Sequence, residues 1–139
     1  MVNGGSLMMC LEKIIKDQNP LLTLKENPYA HGILKKEEDF QIEVSETNET
    51  EKYLILKKKI NGTIGYIFIV ERDILPVEEM KTIYTQYKEM VSKLSDNNYR
   101  EVELVVICKE VNDEVLESIK EYNQKHSHRP PIRLISYKF

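Results

Sequence analysis

The dipeptide Asn61-Gly62, which lies between two apolar runs, constrains the fold of this chain more than any other feature. The runs span residues 53–56 and 64–70. Asn and Gly both tolerate positive φ, so this pair between two strands predicts a type I′ turn with two loop residues. The sequence therefore predicts a β-hairpin at the centre of the chain.

The two loop residues also fix which side chains of the hairpin share a face of the sheet. Lys52 is then expected opposite Glu71. One face carries Leu54, Leu56, Ile67, Ile69 and Glu71, and the other carries Tyr53, Ile55, Tyr66, Phe68 and Val70. Because both faces are apolar, helices are expected to cover both sides of the sheet.

The segment before the hairpin has a mixed pattern. Helical spacing of apolar residues predicts a first helix that Ser6 caps and that Asn19-Pro20 ends. These apolar residues are Leu7, Cys10, Leu11, Ile14 and Ile15. Residues 21–38 are expected to form a loop with a short helical turn. Alternation of Phe40, Ile42 and Val44 with polar residues predicts a strand, which a polar turn at 47–50 joins to the hairpin.

After the hairpin the pattern alternates between helices and strands. Pro76 suits the first turn of a long helix, whose apolar stripe is Val77, Met80, Ile83, Tyr84, Tyr87, Val91 and Leu94. Residues 104–108 form a continuous apolar run, typical of a central parallel strand. Asn112 or Asp113 is expected to cap the next helix, whose stripe is Val115, Leu116, Ile119 and Tyr122. Residues 132–137 predict a last strand, joined by a right-handed crossover.

These elements predict an α/β fold of three layers, in which a mixed sheet carries helices on both faces. The 139 residues suit a single domain. Within it, residues 1–38 are an N-terminal helix and loop segment, and residues 39–139 are the α/β core. The abundance of Lys, Glu and Ile, with no Trp and five Gly, is typical of thermophile composition.

Charge and cysteine content limit the function classes. The formal net charge is −3, so nucleic-acid binding must rest on a local basic patch. Cys10 and Cys108 belong to no CxxC motif, which argues against a zinc site or a disulfide framework. No run is long enough to span a membrane and no secretory signal is recognised, so a cytoplasmic protein is expected.

The charged triplet Glu71-Arg72-Asp73 follows the second hairpin strand and precedes the helix at Pro76. This arrangement resembles the restriction-endonuclease-like fold of the PD-(D/E)xK nuclease superfamily. In that family a hairpin strand ends in an acidic-x-lysine triplet and is followed by a helix, a strand, a helix and a strand. The likeness extends from Phe40 to the end of the chain. Asp73 stands at the lysine position, and no aspartate matches the family's upstream acid.

The resemblance implies a divalent-metal site for Mg²⁺ or Mn²⁺ that activates a water beside a scissile phosphate. Its predicted ligands are Glu71, Asp73 and Glu43. Lys52, opposite Glu71, is predicted to replace the missing lysine, which makes Glu71, Asp73 and Lys52 the catalytic set. The open alternatives are a cross-strand ion pair between Lys52 and Glu71, an Asp73 that only approaches the positive end of the next helix, and a solvated Glu43.

Two further basic segments are candidates for binding. Lys57, Lys58 and Lys59 at the hairpin tip are predicted to contact the phosphates of DNA or RNA, or to be a solvated strand end. His126-Ser127-His128-Arg129 follows the last predicted helix. It could bind a metal or a phosphate, or form a polar loop.

The predicted function is therefore a small nuclease-like, nucleic-acid-associated protein with a degenerate metal site, either active or inactive. The alternative is a non-catalytic protein-interaction module, as a homodimer or as one subunit of a complex. A concave surface around Glu71, flanked by Lys52 and residues 57–59, would favour the nuclease. A Glu71 covered by the N-terminal segment would favour the module.

Overall fold

The computed structural model of the protein describes residues 11–35, 40–60, 62–94 and 102–138. The strands in these ranges are β1 (Leu11–Lys16), β2 (Phe40–Asn48), β3 (Tyr53–Ile60), β4 (Thr63–Leu75), β5 (Val102–Val111) and β6 (Arg133–Lys138). The helices are α1 (Pro20–Glu26), α2 (Val77–Leu94) and α3 (Asp113–Lys125), and a 3₁₀ turn spans Ala30–Gly32. No helix within these ranges is both long and apolar enough to cross a membrane.

The strands form one mixed sheet in the order β1-β6-β5-β4-β3-β2. Strands β1, β6, β5 and β4 are parallel to one another, whereas β3 is antiparallel to both β4 and β2. The predicted α/β class, the mixed sheet and the central position of β5 between parallel neighbours are thus confirmed.

The hairpin register agrees with the prediction from Asn61-Gly62. Leu56 lies opposite Ile67, and each further pair follows in step along the two strands. β4 is 13 residues long and β3 is eight. The carboxyl end of β4 therefore extends beyond its hairpin partner.

Two apolar clusters lie on opposite faces of the sheet. On the first, here called the two-helix face, α2 and α3 pack on strand residues that include Ile55, Phe68, Val106 and Leu134. On the second, the α1 face, strand residues that include Leu54, Ile69, Val105 and Ile135 pack against Leu21, Leu24, Ile33 and Leu34. Both faces are covered, as the apolar pattern of the hairpin predicts.

The two long helices form where their stripes predict them. Asn112 is the N-cap of α3, and its Oδ1 accepts the Val115 N–H at 2.9 Å. The buried residues of α2 are Met80, Ile83, Tyr87 and Val91. Apolar residues three or four positions apart lie on one side of a helix, so these stripes need no distant partner to be recognised.

The predicted N-terminal helix is wrong over residues 11–16, which form strand β1 in parallel register with β6. The run is short, and the spacing of Leu11, Ile14 and Ile15 fits a strand with one partly buried edge as well as a helix. The other residues assigned to that helix, Ser6, Leu7 and Cys10, lie outside the described ranges.

Asn19-Pro20 begins a helix rather than ending one. The Asn19 side chain caps α1 and Pro20 occupies the first turn, where a missing N–H costs nothing. The predicted turn at 47–50 starts later than expected, because β2 continues to Asn48 through a register shift between Val44 and Glu46.

Candidate functional site

The acidic end of β4 lies at the edge of the sheet where the four parallel strands end. Glu71 and Asp73 are two residues apart in a strand, so both side chains lie on the α1 face. Tyr137 is near the end of β6, and Asp17 directly follows β1. Ligands of open parallel sheets commonly bind at this edge, so it is the natural place to look for a site.

Glu71 is buried beneath the first turn of α1. Glu71 is only 6% exposed, and its Oε1 accepts the Leu21 N–H at 3.0 Å. The first N–H groups of a helix have no partner within the helix, and they favour a negatively charged acceptor. The carboxylate therefore holds α1 against the sheet, and the N-terminal segment covers it.

Asp73 is exposed, yet it also has a partner. Its Oδ1 accepts the Tyr137 O–H at 2.9 Å across the intervening strand β5. Burial raises the pKa of Tyr137, and the hydrogen bond to Asp73 and the charges of Glu71 and Asp73 raise it further. Tyr137 thus remains a neutral donor over the physiological range of pH.

Arg72, the middle residue of the triplet, joins β4 to two neighbouring segments. Its Nε pairs with Glu79 Oε1 at 2.5 Å, in the first turn of α2. Its Nη1 donates to the backbone oxygens of Glu71 at 2.8 Å and Glu51 at 3.1 Å. All three side chains of the triplet therefore have structural partners.

Lys52 keeps the predicted backbone position opposite Glu71, because the Glu71 N–H donates to the Lys52 carbonyl at 2.9 Å. Lys52 itself lies before β3, with a φ of 57°. Its side chain lines a groove of about 150 Å³ together with Asn19, Leu21, Leu22, Lys25, Thr47 and Glu49. The groove adjoins α1, but Lys52 and Glu71, both described, form no ion pair.

Glu43 is not brought to Glu71. It pairs with Lys57 at 3.7 Å, and the register puts Lys57 five positions along β3 from Lys52. At about 3.3 Å per residue this separation is roughly 16 Å. Among the residues that the structure describes, no group of three His, Cys, Asp or Glu side chains could hold a metal ion. The three predicted ligands therefore do not form one donor set.

The hairpin lysines divide between the two faces of the sheet. Lys57 and Lys59 line a groove of about 420 Å³ with Gln41, Ile42, Glu43 and Ile64. Lys58 has the opposite orientation and pairs with Glu103 Oε2 at 2.7 Å. Only two of the three lysines can therefore act together on one ligand.

One polar pair at the same edge was missed by the sequence analysis. Asp17 Oδ2 lies 2.7 Å from His31 Nε2, and Asp17 Oδ1 accepts the Asn19 N–H at 2.9 Å. Burial opposes the ionisation of Asp17, but hydrogen bonds from His31, Thr23 and Asn19 outweigh it and lower its pKa. No local pattern marks this pair. Tyr137 could have been found, since the ends of parallel strands meet at one edge.

Comparison with protein-family models, curated proteins and solved structures gives no match. Over the residues that it describes, the structure defines an α/β protein with a six-stranded mixed sheet.

Proposed function

We propose that this protein is a nucleic-acid-associated domain with a nuclease-like fold that does not cleave phosphodiesters. One observation carries the absence of cleavage: the carboxylate of Glu71 is buried beneath α1 and accepts the Leu21 N–H. A carboxylate that holds a catalytic Mg²⁺ must present its oxygens to the metal and its bound waters. Glu71 instead acts as a structural acceptor.

The order of elements supports the nuclease-like part of the proposal. From Phe40 onward the chain runs through a three-stranded meander, a helix, a strand, a helix and a last strand. That is the order which the resemblance to the PD-(D/E)xK nucleases implies. A shared fold does not give a shared activity, so binding and cleavage need separate tests.

The groove beside Lys57 and Lys59 supports binding. Lys59 is exposed. Both side chains of the ion pair between Lys57 and Glu43 are also accessible, to 37% for Lys57 and 67% for Glu43. Such pairs contribute little to stability, so a phosphate can replace Glu43 at small cost. Lysine contacts to phosphates fix position without reading the base sequence.

Binding is tested by fluorescence anisotropy with labelled duplex DNA and duplex RNA over a range of salt concentrations. The double variant Lys57→Glu/Lys59→Glu is compared with Lys16→Glu/Lys35→Glu, which changes the charge equally at two exposed positions outside the groove. Loss of two phosphate contacts should reduce the salt slope on duplex DNA by about 1.8. A native protein that binds neither duplex, or two variants with equal affinity, overturns this part of the proposal.

Absence of catalysis is tested with Mn²⁺ by calorimetry on the native protein and on Glu71→Ala, together with a cleavage assay in Mg²⁺ and Mn²⁺. We expect no saturable metal binding and no cleavage by either protein. Saturable binding by the native protein that Glu71→Ala abolishes would make the triplet a metal site and restore the active nuclease as the better hypothesis.

A second candidate function is a protein-interaction module, which the covering of Glu71 by α1 also favours. β2 is one of the two edge strands of the described sheet, and Val44 on β2 is 37% exposed. An unpaired strand edge with exposed apolar side chains can pair with a strand of another chain. Analytical ultracentrifugation of the native protein and of Val44→Lys tests the homodimer, because a lysine on the edge should dissociate it.

A further inference from the structure

A row of four aromatic rings crosses the outer surface of α2, α3 and the turn that follows α3. Tyr84 and Tyr122 are stacked, with ring centroids 4.9 Å apart and planes 8° apart. The Tyr122 and His126 centroids are 4.5 Å apart, and those of His126 and His128 are 6.3 Å apart. Tyr84, Tyr122 and His126 are partly exposed and His128 is exposed.

Two helices and the turn after α3 position these rings. Tyr84 lies on the side of α2 that faces α3, and its hydroxyl is 3.1 Å from Ser118 Oγ. Tyr122 is in the last turn of α3, His126 is the C-cap of that helix, and His128 lies in the following turn. Arg129 Nη1 donates to the Tyr122 hydroxyl at 3.5 Å, beside the second ring of the row. Helices therefore fix the two tyrosines, and the two histidines continue the row into the turn.

Positive charge surrounds the rings. Burial lowers the pKa of His126, and the charges of Arg129, Lys125, His128 and Lys88 lower it further. Four positively charged or titratable basic groups therefore lie within electrostatic range of one ring. Glu121 is the acid that acts on the same region, through Tyr84. In a chain of net charge −3, the basic groups beside these rings suit an anionic partner.

We propose that this surface, which we call the ring row, binds single-stranded nucleic acid. Unpaired bases stack on the exposed rings of His126 and His128, and the phosphates contact Lys88, Lys125 and Arg129. Aromatic rings accept the face of any base, and a basic border follows the backbone, which is how proteins bind single strands without reading sequence. A duplex keeps its bases stacked inside and gains nothing from the rings.

Two other roles fit the ring row less well. A metal site would need a third ligand beside His126 and His128, and the described residues contain no such group of three. A purely structural role explains Tyr84 and Tyr122, which pack against the two-helix core. It does not explain His126 and His128, which continue the row outward. The ring row is also separate from the groove of Lys57 and Lys59, so this inference goes beyond the proposed function.

The test uses a fluorescein-labelled oligothymidine of about twenty nucleotides, which has no stable secondary structure, and measures anisotropy over a range of salt concentrations. Lys88→Glu/Lys125→Glu is compared with Lys16→Glu/Lys35→Glu, since all four lysines are exposed. We expect at least about a tenfold loss of affinity and a salt slope reduced by about 1.4 in the first variant only. Circular dichroism confirms that each variant is folded.

The stacking part is tested at His126. His126→Ala should weaken binding of oligothymidine several-fold, whereas His126→Tyr keeps a ring in place and should retain most of the affinity. Heparin fragments serve as a polyanion without bases, and their binding should not change in His126→Ala.

Three results would overturn the inference. They are no binding of oligothymidine by the native protein, equal binding by the two lysine variants, and equal losses of heparin and oligothymidine binding in His126→Ala. If Lys57→Glu/Lys59→Glu alone abolishes oligothymidine binding, the strand lies in the other groove, and the proposed function survives while the ring row does not. Duplex binding that persists in Lys88→Glu/Lys125→Glu shows that the two proposals are independent.

Discussion

The two faces of the sheet are covered by different means. On the two-helix face, α2 and α3 bury continuous apolar stripes, and neighbouring contact residues on a helix are three or four positions apart. On the α1 face a seven-residue helix and a 3₁₀ turn cover the strands. Polar contacts between distant residues attach this second layer to the sheet, as in the bonds of Glu71 to Leu21 and of Asp17 to His31. A short helix has little apolar area, so charged groups and hydrogen bonds provide stabilisation that packing alone does not.

Arg133 fastens the other end of the α1 face. Its Nε and Nη2 donate to the two carboxylate oxygens of Glu12, each at 2.6 Å, and Nη2 also donates to the Ile33 carbonyl at 2.7 Å. The hydrogen bonds lower the pKa of Glu12 and raise that of Arg133. Paired bonds of this kind hold both orientation and position. The α1 face is therefore held at both ends of the strands, whereas the two-helix face is held along its length.

The largest effect is expected from a cavity on the two-helix face. Phe68 is 1% exposed, so Phe68→Ala should lower the free energy of unfolding by about 3–5 kcal/mol, measured by urea denaturation. Ile74→Ala, at a position that is 62% exposed, is the control and should change it by less than about 0.5 kcal/mol. If Leu24→Ala on the α1 face costs more than Phe68→Ala, packing there is the stronger of the two and the comparison fails.

Removal of the carboxylate that holds α1 should have the next largest effect. Glu71→Ala leaves the Leu21 N–H without its acceptor, which should cost about 1–3 kcal/mol. Glu71→Gln keeps an acceptor and should cost less. Hydrogen exchange of the α1 amides should accelerate more than that of the α2 amides. A Glu71→Ala variant that is more stable than the native protein would instead mark Glu71 as a functional group kept at the expense of stability.

Alkaline pH should lower the stability of the protein through one group on each face of the sheet. The two groups begin to act at different pH values. Burial raises the pKa of the Cys108 thiol, on the two-helix face, from 9.0 to about 12. The folded state holds this proton more tightly, so its contribution to stability is complete below pH 9 and is lost as the pH rises towards 12. Over this range the free energy of unfolding falls by up to about 1.4 kcal/mol per pH unit.

Cys108→Ala should therefore flatten the decline of stability above pH 9 in urea titrations. Tyr137→Phe, on the α1 face, should flatten it only above pH 10, because the raised pKa of Tyr137 starts from 10.0. If the free energies of unfolding of the native protein and of Cys108→Ala fall in parallel from pH 9 to 12, the Cys108 thiol does not cause the decline.

The smallest expected effect concerns two residues with left-handed backbone. Lys52 and His31 have φ values of 57° and 61°, a region that strains residues with a Cβ. Lys52→Gly should raise stability by about 0.5–1 kcal/mol, once the greater freedom of glycine in the unfolded chain is counted. His31→Gly should gain less, because it also loses the bond to Asp17. The melting temperatures of the two variants test this difference. An equal gain in stability would show that the bond between His31 and Asp17 contributes nothing to stability.

The same contrast explains what the sequence predicts. The hairpin register, the stripes of α2 and α3 and the run of β5 depend on neighbours close in sequence, and each was predicted. β1 depends on β6, its only partner among the described strands, so its short apolar run by itself fits a helix as well as a strand.

The candidate site was predictable only in part. The two-residue spacing of Glu71 and Asp73 places them on one face, and the turn at Asn61-Gly62 places Lys52 opposite Glu71. The covering of Glu71 by α1 was not predictable, because its partner is a backbone N–H 50 residues earlier in the chain. The types of the residues do not indicate which backbone N–H a carboxylate will bind.

The parallel pairing of β1 with β6 joins the strands from Leu11 with Leu134 to Lys16 with Lys138. On the ribosome β1 is made before the other described strands, and its partner β6 follows only after β2 to β5. Contacts that close so large a loop form slowly, and unpaired strands can associate wrongly in the meantime. Among the described strands, β1 is therefore expected to join the sheet last.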